Sequence, residues 1–588
     1  MRLPIGFSLF ALFFLVTGMT TGNPVLAARV PDGAQWAQKV DAWVMNRAAT
    51  GETDFLVQLA EQADLSAASA LPGKLEQGAY VHRQLTETAA RTQAPVIRSL
   101  QSLGARYQTF WVANMIWVHG NGEVVKAMAA RPDVAHIHAN PRVRARFPAI
   151  VSSGQVPQAL ADIEWNINKV RAPEVWAAGY KGQGVVVGGQ DTGYQWDHPA
   201  LKNQYRGWNG AAAGHDYHWH DAIHQGGTPG CPANSLAPCD DHGHGTHTMG
   251  TMIGDDGASN RIGMAPGARW IACRNMDQGV GSPATYAECY QWFIAPTRLN
   301  GSGANPAMAP DVINNSWSCT VAEGCTDPGI LRLVVNHVRA AGILTVHSAG
   351  NEGSACGTVA EPGAIYADSF SVGAVNSNDA IASFSSRGPV TVDGSNRRKP
   401  DITAPGVAIR SSVPQSGYAG GWSGTSMAAP HVAGLAALMV SANPRLRGQV
   451  DLLEDLAEKT AVPLTTTQGC GGDGPSDIPN HAYGWGRIDA GAAYMKATTP
   501  GSLRVTLVPA TAIVAGGQWR VDGGLWQASG QSLAGLAPGR HELELKLIPG
   551  WKTPVKQAVI IAPDEVTSLA TQYERTSPAS WLPLLTPR

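Results

Sequence analysis

The sequence predicts an α/β protein with a parallel sheet and helices on both of its faces, preceded by an α+β unit and followed by a small all-β module. Three patterns support this prediction. Short apolar strand candidates alternate with helical segments through the middle of the chain. The N-terminal part has the order strand, helix, strand, strand, helix, strand. The last part alternates apolar and polar residues between turn signals.

The composition favours a large folded core. Of the 588 residues, 44% are hydrophobic and 15% are charged, and a chain of this length is expected to form three or four domains. The formal net charge of −2 provides no field that would attract nucleic acid or an anionic membrane. We therefore expect neither kind of partner. Separately, we expect a monomer.

Residues 1–27 have the pattern of a secretory signal peptide. A short basic start is followed by an apolar run from Phe7 to Val16 and by the small-residue cleavage pattern Val25-Leu26-Ala27. A membrane anchor is the alternative, but the apolar run is short for a membrane span. Secretion, to the extracellular space or the periplasm, and an oxidising compartment are the expectation.

The order of strand and helix candidates in residues 28–150 predicts a ferredoxin-like unit. Its strand candidates are Phe55–Leu59, Tyr107–Val112, Met115–Val118 and Val134–His138, and its helix candidates are Val81–Leu103 and Glu123–Ala130. A substrate-binding domain is the alternative interpretation. A polar linker with Arg142, Arg144 and Arg146 follows, and we expect it to be exposed.

Residues 151–498 predict the parallel sheet. The strand candidates are Val185–Val187, Trp270–Cys273, Asp311–Ile313, Ile343–Val346 and Ser369–Val372, with helices at Tyr286–Ile294 and Ile330–Ala341. In such sheets, functional sites gather at the carboxyl ends of the strands. Asp191 and Asn351 come within about five residues after the ends of strand candidates, so both are candidate site residues.

Ser426 lies in the stretch GTSMAAPHVAG, which runs into an apolar helix. A serine at a helix start lies beside unpaired backbone N–H groups and the positive end of the helix dipole, where negative charge on an attacked carbonyl oxygen is stabilised. Pro430 is expected near the first turn of this helix, where a missing N–H costs little. The alternative is that Ser426 only caps the helix.

Two further stretches supply the partners that a serine nucleophile needs. Asp191 ends an apolar strand and enters a glycine turn, and His244 lies in the stretch DDHGHGTHTMG. A serine needs a base to accept its proton, and that base needs a group that fixes its tautomer. The chain order Asp191, His244, Ser426 resembles that of the subtilisin-like serine proteases, the subtilases.

The resemblance to the subtilases extends from about Ile163 to Ala493 and implies roles for particular residues. It implies that Asp191, His244 and Ser426 form a catalytic triad. Asn351, in the stretch ILTVHSAGNEG, is implied to donate to the oxyanion. It also implies that residues 28–150 are a propeptide that acts as intramolecular chaperone and inhibitor, and that maturation cleavage falls between Arg146 and Asp162.

The resemblance also implies where a substrate binds. Ser316-Trp317-Ser318 would offer an edge strand to the substrate backbone, with Trp317 in the fourth subsite; the alternative is that Trp317 is a core residue. Ala360 implies a medium-to-large apolar first subsite, and Glu352 at its mouth allows basic residues. Ala200 stands where many subtilases have an acidic calcium ligand, so the strongest family calcium site is not matched and only weaker structural calcium is expected.

The insertion between Asp191 and His244 is rich in histidine. It contains His215, His218, His220, His224 and His242, with Asp216 and Asp221 nearby. Such residues can bind zinc, which makes a metal-dependent hydrolase the second function hypothesis. Because the histidines are scattered over a Gly/Pro loop without a helical His-Glu-x-x-His motif, we interpret the insertion as a solvated loop.

The eight cysteines fit an exported protein, but sequence alone does not determine their pairing. Two short loops favour the pairs Cys231–Cys239 and Cys319–Cys325. The pairs Cys273–Cys289 and Cys356–Cys470 would then remain.

Residues 501–573 predict the all-β module, and residues 574–588 a flexible tail. Asp522-Gly523-Gly524 is a hairpin signal. Trp519, Trp526 and Trp551 could bind sugars, although an aromatic core is the favoured interpretation. The sequence as a whole predicts a secreted serine endopeptidase that acts on proteins or peptides, is made as an autoprocessed preproenzyme and requires no cofactor. A catalytically inactive adhesin is the third hypothesis.

Overall fold

The computed structural model describes residues 32–145, 163–317, 319–320 and 323–576. The predicted signal peptide, the linker expected to hold the cleavage bond, and residues 577–588 of the tail lie outside the described residues. Ser318 of the predicted substrate-binding edge also lies outside them.

The N-terminal unit is a four-stranded antiparallel sheet with helices, in the predicted order. Its elements are α1 (Ala42–Ala48), β1 (Thr53–Leu59), α2 (Lys74–Ser102), β2 (Arg106–Phe110), β3 (Met115–Gly120), α3 (Gly122–Ala129), β4 (Val134–Ala139) and the short β5 (Val143–Arg144). The strand order is β2-β3-β1-β4. The unit docks on the next domain through residues such as Gln291, whose Oε1 accepts hydrogen bonds from the N–H groups of Trp111 at 2.6 Å and Val112 at 3.2 Å.

A seven-stranded sheet forms the centre of the next domain. The elements are α4 (Trp165–Lys169), α5 (Ala172–Ala177), β6 (Val186–Asp191), β7 (Trp219–Asp221), β8 (Gly227–Thr228), β9 (Cys231–Pro232), α6 (His244–Ile253), β10 (Arg269–Arg274), β11 (Val280–Gly281), α7 (Pro283–Ile294), β12 (Val312–Asn315), α8 (Arg332–Ala340), β13 (Leu344–Ser348), β14 (Phe370–Val375), β15 (Ile402–Pro405), β16 (Ile409–Val413), β17 (Gly417–Trp422), α9 (Thr425–Ala442), α10 (Val450–Lys459) and α11 (Ala490–Thr498). The strand order is β15-β14-β13-β12-β6-β10-β7, and every neighbouring pair is parallel. The predicted α/β fold with a parallel sheet is therefore confirmed.

Strand β6 runs farther than its apolar residues predict. It continues through Gly188, Gly189 and Gln190 to Asp191. The buried Gln190 side chain remains paired, since it donates to Asn315 Oδ1 at 2.6 Å and accepts from Asn275 Nδ2 at 3.0 Å. A polar residue thus stays in the sheet because neighbouring strands satisfy it.

Helix α9 is buried at the centre of the domain. Among the described helices, α9 is the one that is long and apolar enough to cross a membrane, but nearly all of it is buried inside the protein. Pro430 is the sixth residue of α9, not a first-turn residue. The position expected for Pro430 was therefore wrong, and its missing N–H leaves one carbonyl of the first turn without its helical donor.

The histidine-rich insertion is more ordered than the predicted solvated loop. Trp219–Asp221 forms the edge strand β7, and the side chain of Trp219 is buried. The reason is non-local: β7 pairs in parallel with the end of β10, where Cys273 lies opposite His220.

The C-terminal module has two three-stranded sheets, in the orders β20-β18-β24 and β19-β21-β23. Its elements are β18 (Gly501–Val508), α12 (Ala510–Val514), β19 (Trp519–Val521), β20 (Ser532–Leu536), β21 (Gly539–Leu545), β22 (Trp551–Lys552), β23 (Gln557–Ile561), β24 (Val566–Gln572) and β25 (Glu574–Arg575). The short helix α12 was not predicted. Trp519 and Trp551 are buried in the core of the module, whereas Trp526 lies under the Arg520 guanidinium at 4.4 Å.

All eight cysteines are paired. The disulfides are Cys231–Cys239, Cys273–Cys289, Cys319–Cys325 and Cys356–Cys470. Cys231–Cys239 and Cys319–Cys325 are the two pairs that the short loops favoured, and the other two are the pairs that would then remain.

Candidate active site

Three elements bring the predicted triad residues to one edge of the sheet. Asp191 is the last residue of β6, His244 is the first residue of α6, and Ser426 is the second residue of α9. Carboxyl ends of parallel strands and amino ends of the following helices meet at this edge, which is where sites in such sheets form.

Asp191 and His244 form a buried hydrogen-bonded pair. His244 Nδ1 lies 2.7 Å from Asp191 Oδ1, and the two side chains are 1% and 0% exposed. The N–H of Thr192 also donates to Asp191 Oδ1 at 2.8 Å. Gly245 permits this approach, because a Cβ there would lie 2.1 Å from the carbonyl oxygen of Gly193.

Ser426 is held at the start of α9 by contacts with Ser316. Ser426 Oγ donates to the carbonyl oxygen of Ser316 at 3.3 Å, and Ser316 Oγ donates to the carbonyl oxygen of Ser426 at 3.1 Å. The first turn of a helix carries unpaired N–H groups, so the backbone N–H of Ser426 is placed to donate to an anion beside the hydroxyl.

The side chain of Asn351 is oriented by the residue before Ser426. Its Oδ1 accepts hydrogen bonds from the N–H of Thr425 at 2.9 Å and from Thr425 Oγ1 at 3.0 Å. Because the oxygen is fixed on Thr425, the amide N–H₂ group is the end that faces away from it and can donate elsewhere.

The predicted subsite residues differ in their surroundings. Trp317 is 4% exposed and stacks on Tyr286 with a centroid distance of 3.9 Å, so it is packed like a core residue. Glu352 is exposed, and its N–H donates to Ser386 Oγ at 3.0 Å. Ala360 is half-buried.

Sequence reasoning missed a short strand that pairs with the N-terminal unit. β11 (Val280–Gly281) pairs in antiparallel fashion with β5 of the N-terminal unit, and the N–H of Ala145 donates to the carbonyl oxygen of Gly279 at 2.8 Å. The two glycines on either side of Val280, just beyond β10, were the available signal. A chain segment can therefore add to β11 as an extra strand.

Arg274 is also a residue that sequence reasoning did not single out. Its guanidinium is fully buried, with Nη1 3.4 Å from Asp221 Oδ2 and Nη2 2.8 Å from Asp241 Oδ2 and 3.2 Å from Asp277 Oδ1. Burial raises the pKa of Asp241 to about 6, although Arg274 opposes that rise. The Arg274 guanidinium thereby joins three segments: the insertion through Asp221, the loop before His244 through Asp241, and the turn before β11 through Asp277.

Two histidines of the insertion pair with one carboxylate. Glu288 lies 2.8 Å from His220 Nε2 and 3.0 Å from His224 Nε2. Burial alone would raise the pKa of Glu288, but hydrogen bonds to the two histidines lower it to about 2, and the same contact raises the pKa of His224 to about 9. Among the described residues, the histidine group with the spacing of metal ligands lies elsewhere, in the N-terminal unit.

Comparison with known proteins identifies the family. The model of the subtilase family matches residues 182–486, which is more than half of the chain. The chain belongs to the subtilase family of serine proteases.

Individual subtilases are similar over different shares of the chain. It is 37% identical to bacillopeptidase F of Bacillus subtilis (strain 168) over 451 residues, which are 74% of this chain and 29% of that protein. It is 34% identical to subtilisin E of the same strain over 284 residues, 48% of this chain and 62% of that protein. The subtilisin of Bacillus pumilus is 33% identical over 284 residues, 48% of this chain and 86% of that protein.

Residues 163–166, 311–317 and 409–414 predict from the sequence alone a likeness to bacillopeptidase F within the family. The match to that protein agrees with this prediction. This chain nevertheless spans less than a third of bacillopeptidase F and less than two thirds of subtilisin E.

Proposed function

We propose that this protein is a secreted serine endopeptidase that hydrolyses proteins or peptides. The observation that carries the proposal is the buried Asp191–His244 hydrogen bond at the same sheet edge as Ser426, the second residue of α9. A histidine fixed by a buried carboxylate, and a serine at a helix start on the same sheet edge, are the groups that nucleophilic acyl transfer requires.

In this mechanism, Ser426 Oγ attacks the scissile carbonyl carbon, and His244 accepts the proton from Oγ. Asp191 holds the imidazole in its tautomer and stabilises the imidazolium that forms. The developing oxyanion accepts from the backbone N–H of Ser426 and from the Asn351 amide. His244 then protonates the leaving amine, the C–N bond breaks, and water hydrolyses the acyl-enzyme. Every step uses protein groups and water, so none requires a metal or another cofactor.

Residues 28–150 act as the propeptide and intramolecular inhibitor. The pairing of β5 with β11 supports this role, because the end of the N-terminal unit adds to the next domain as an extra strand, which is how an extended peptide substrate would add. The enzyme cuts its own chain between Arg146 and Asp162 and is then released as a monomer into the extracellular space or the periplasm.

A serine-directed phosphonate tests the proposed chemistry. The secreted protein is incubated with the probe and digested, and the labelled peptide is sequenced. Label on Ser426, together with loss of peptidase activity, is expected, and His244→Ala should prevent labelling.

The same preparation separates the rival hypotheses. Loss of activity with a zinc-selective chelator and recovery with zinc would favour the metal-dependent hydrolase. A folded, secreted protein that neither reacts with the probe nor cuts any peptide would favour the inactive adhesin.

A further inference from the structure

The N-terminal unit contains a cluster of metal-binding side chains. Asp41, His136 and His138 each offer one ligand atom, and these atoms all lie within 4.8 Å of one another. The two histidines are two residues apart on β4, so they share one face of the strand. Asp41 directly precedes α1, next to that face.

The positions of Asp41 and His136 are tightly defined. His136 Nε2 lies 2.7 Å from Asp41 Oδ1, and Asp41 Oδ2 accepts a hydrogen bond from the N–H of Ala139 at 2.8 Å. The His136 and His138 ring centroids are 4.5 Å apart. The side chains of Asp41 and His136 are only 9% and 32% exposed, so both ligands are held by the fold rather than free in solvent.

His138 connects this cluster to the catalytic domain. Its side chain is 5% exposed, and its Nδ1 lies 2.8 Å from Oδ2 of Asp327, which belongs to the catalytic domain. Its Nε2 lies 2.6 Å from Gln58 Oε1. Gln58, His138 and Asp327 also line a cavity of about 570 Å³ between the two units, which provides room for an ion to enter.

We propose that Asp41, His136 and His138 bind a zinc ion, and that this ion fastens the N-terminal unit to the catalytic domain through the contact of His138 with Asp327. Two imidazoles and a carboxylate suit zinc, whereas calcium and magnesium take oxygen ligands. Ligand atoms about 2 Å from the ion are about 3.3 Å apart in a tetrahedral site, so atoms that now lie within 4.8 Å of one another would move closer together when the ion binds.

The contact with Asp327 has a defined part in this site. A histidine has two ring nitrogens, so His138 Nε2 can bind the ion in place of its contact with Gln58 Oε1 while Nδ1 keeps its carboxylate partner Asp327. Such a carboxylate orients the ring and makes it a stronger ligand. The ion would therefore be bound more tightly when the two units are docked, and by linkage it would hold them together. This clamp rests on the proposed role of the N-terminal unit as a propeptide, but the metal site itself does not.

Cobalt binding tests the metal site without any need for activity. Full-length Ser426→Ala protein, checked by intact mass to retain residues 41–138, is titrated with Co²⁺. One equivalent with the intense visible bands of a tetrahedral site is expected, and Zn²⁺ should displace it. His136→Gln and His138→Gln should each weaken binding by at least about tenfold, since even the loss of an outer partner costs about that much.

His119→Gln is the matched control. His119 belongs to the same unit and pairs with Asp54 at 2.7 Å and with Glu52 at 3.1 Å, but it is outside the proposed site. The His119→Gln variant should therefore bind cobalt as tightly as the parent protein does. The melting temperature without metal is measured for each variant to establish that it is folded. Equal cobalt affinity in folded parent, His136→Gln and His138→Gln proteins would overturn the proposal, because the ion would then be adventitious.

Asp327→Asn tests the clamp separately. In the parent, saturating Zn²⁺ should raise the melting temperature of the docked protein. Asp327→Asn should keep the cobalt bands at saturating metal, bind cobalt about tenfold more weakly, and show a smaller rise. An undiminished rise in Asp327→Asn would overturn the clamp and leave the metal site. Failure of the proposed peptidase activity would alter neither readout, because both use the variant that lacks the nucleophile.

Discussion

Ser316 Oγ donates a hydrogen bond to the carbonyl oxygen of Ser426 at 3.1 Å, and this acceptor is available because Pro430 follows four residues later. In a regular helix, the N–H of residue 430 would bond to that oxygen. Proline has no N–H, so a side chain from the end of β12 takes its place. The residue after β12 and the start of α9 are thus joined at the proposed nucleophile.

Pro430→Ala should restore the helical donor and make the Ser316 hydroxyl less important for stability, although Asn314 Nδ2 would still donate to that hydroxyl at 2.9 Å. Ser316→Ala alone leaves a buried carbonyl without a donor, which costs about 1–3 kcal/mol. In the Pro430→Ala background, Ser316→Ala should cost less, with a coupling of at least about 0.5 kcal/mol. Urea midpoints of the four proteins, all carrying Ser426→Ala to prevent autolysis, provide the measurement. Additive effects would show that the two donors do not share the Ser426 oxygen.

Asn351→Ala should lower turnover by roughly 10²–10³-fold with little change in KM, which is the loss known for the corresponding donor in subtilisin. The reason is that the amide would donate to charge that develops only in the transition state. The measurement is steady-state kinetics on a peptide substrate. Asn203→Ala, which removes an exposed asparagine side chain that is not a predicted site residue, is the control and should retain turnover. A change of less than threefold in Asn351→Ala would refute the oxyanion role.

Arg274→Met should destabilise the protein by about 3–5 kcal/mol, because it leaves buried carboxylates without their cation. Arg520→Met is the control: Arg520 forms a two-pronged pair with Glu544 in which the side chains are 28% and 24% exposed, and exposed pairs contribute at most about 1 kcal/mol. Denaturant midpoints in the Ser426→Ala background compare the two. Equal losses would mean that Arg274 is not the centre of a buried ionic cluster.

Glu458→Gln should stabilise the protein at alkaline pH and not at pH 4. Burial, followed by the charges of Asp401, Glu454 and Asp455, raises the pKa of Glu458 to about 8. Between the ordinary glutamate pKa and that value, the folded state holds a proton that the unfolded state has released, so stability falls as pH rises through this window. Glutamine removes the titration. Melting temperatures at pH 4 and pH 8.5 test this prediction, and an equal shift at both would contradict it.

Ser426→Ala should be secreted, folded and unprocessed, and should retain the N-terminal unit that the mature wild type has lost. The bond near residues 146–162 would be the first substrate, held at high effective concentration, and cutting it needs the same hydroxyl as later turnover. Intact mass and N-terminal sequencing of both secreted proteins provide the measurement. A trace of active wild type should trim the variant. Maturation at the same bond without added protease would assign processing to another enzyme.

The sequence by itself determined the parallel sheet and the order Asp191, His244, Ser426. Both follow from local patterns: β-branched runs predict buried strands, and the residues after those runs must lie at the carboxyl edge. Strand lengths were less predictable, because Gln190 is satisfied in β6 by side-chain partners on β12 and just after β10. Local hydrophobicity contains no information about such partners.

Only the tertiary structure decided the contacts between distant segments. The pairing of β5 with β11, the stacking of Trp317 on Tyr286 and the three carboxylates around Arg274 join residues from separate elements. A lone arginine, tryptophan or Gly-Val-Gly segment is compatible with many environments, and its partners are selected by packing. The histidine-rich sequence was ambiguous for the same reason. His220 and His224 could bind a metal or pair with a carboxylate, depending on which residues lie opposite them. In the structure, the residue opposite both is Glu288.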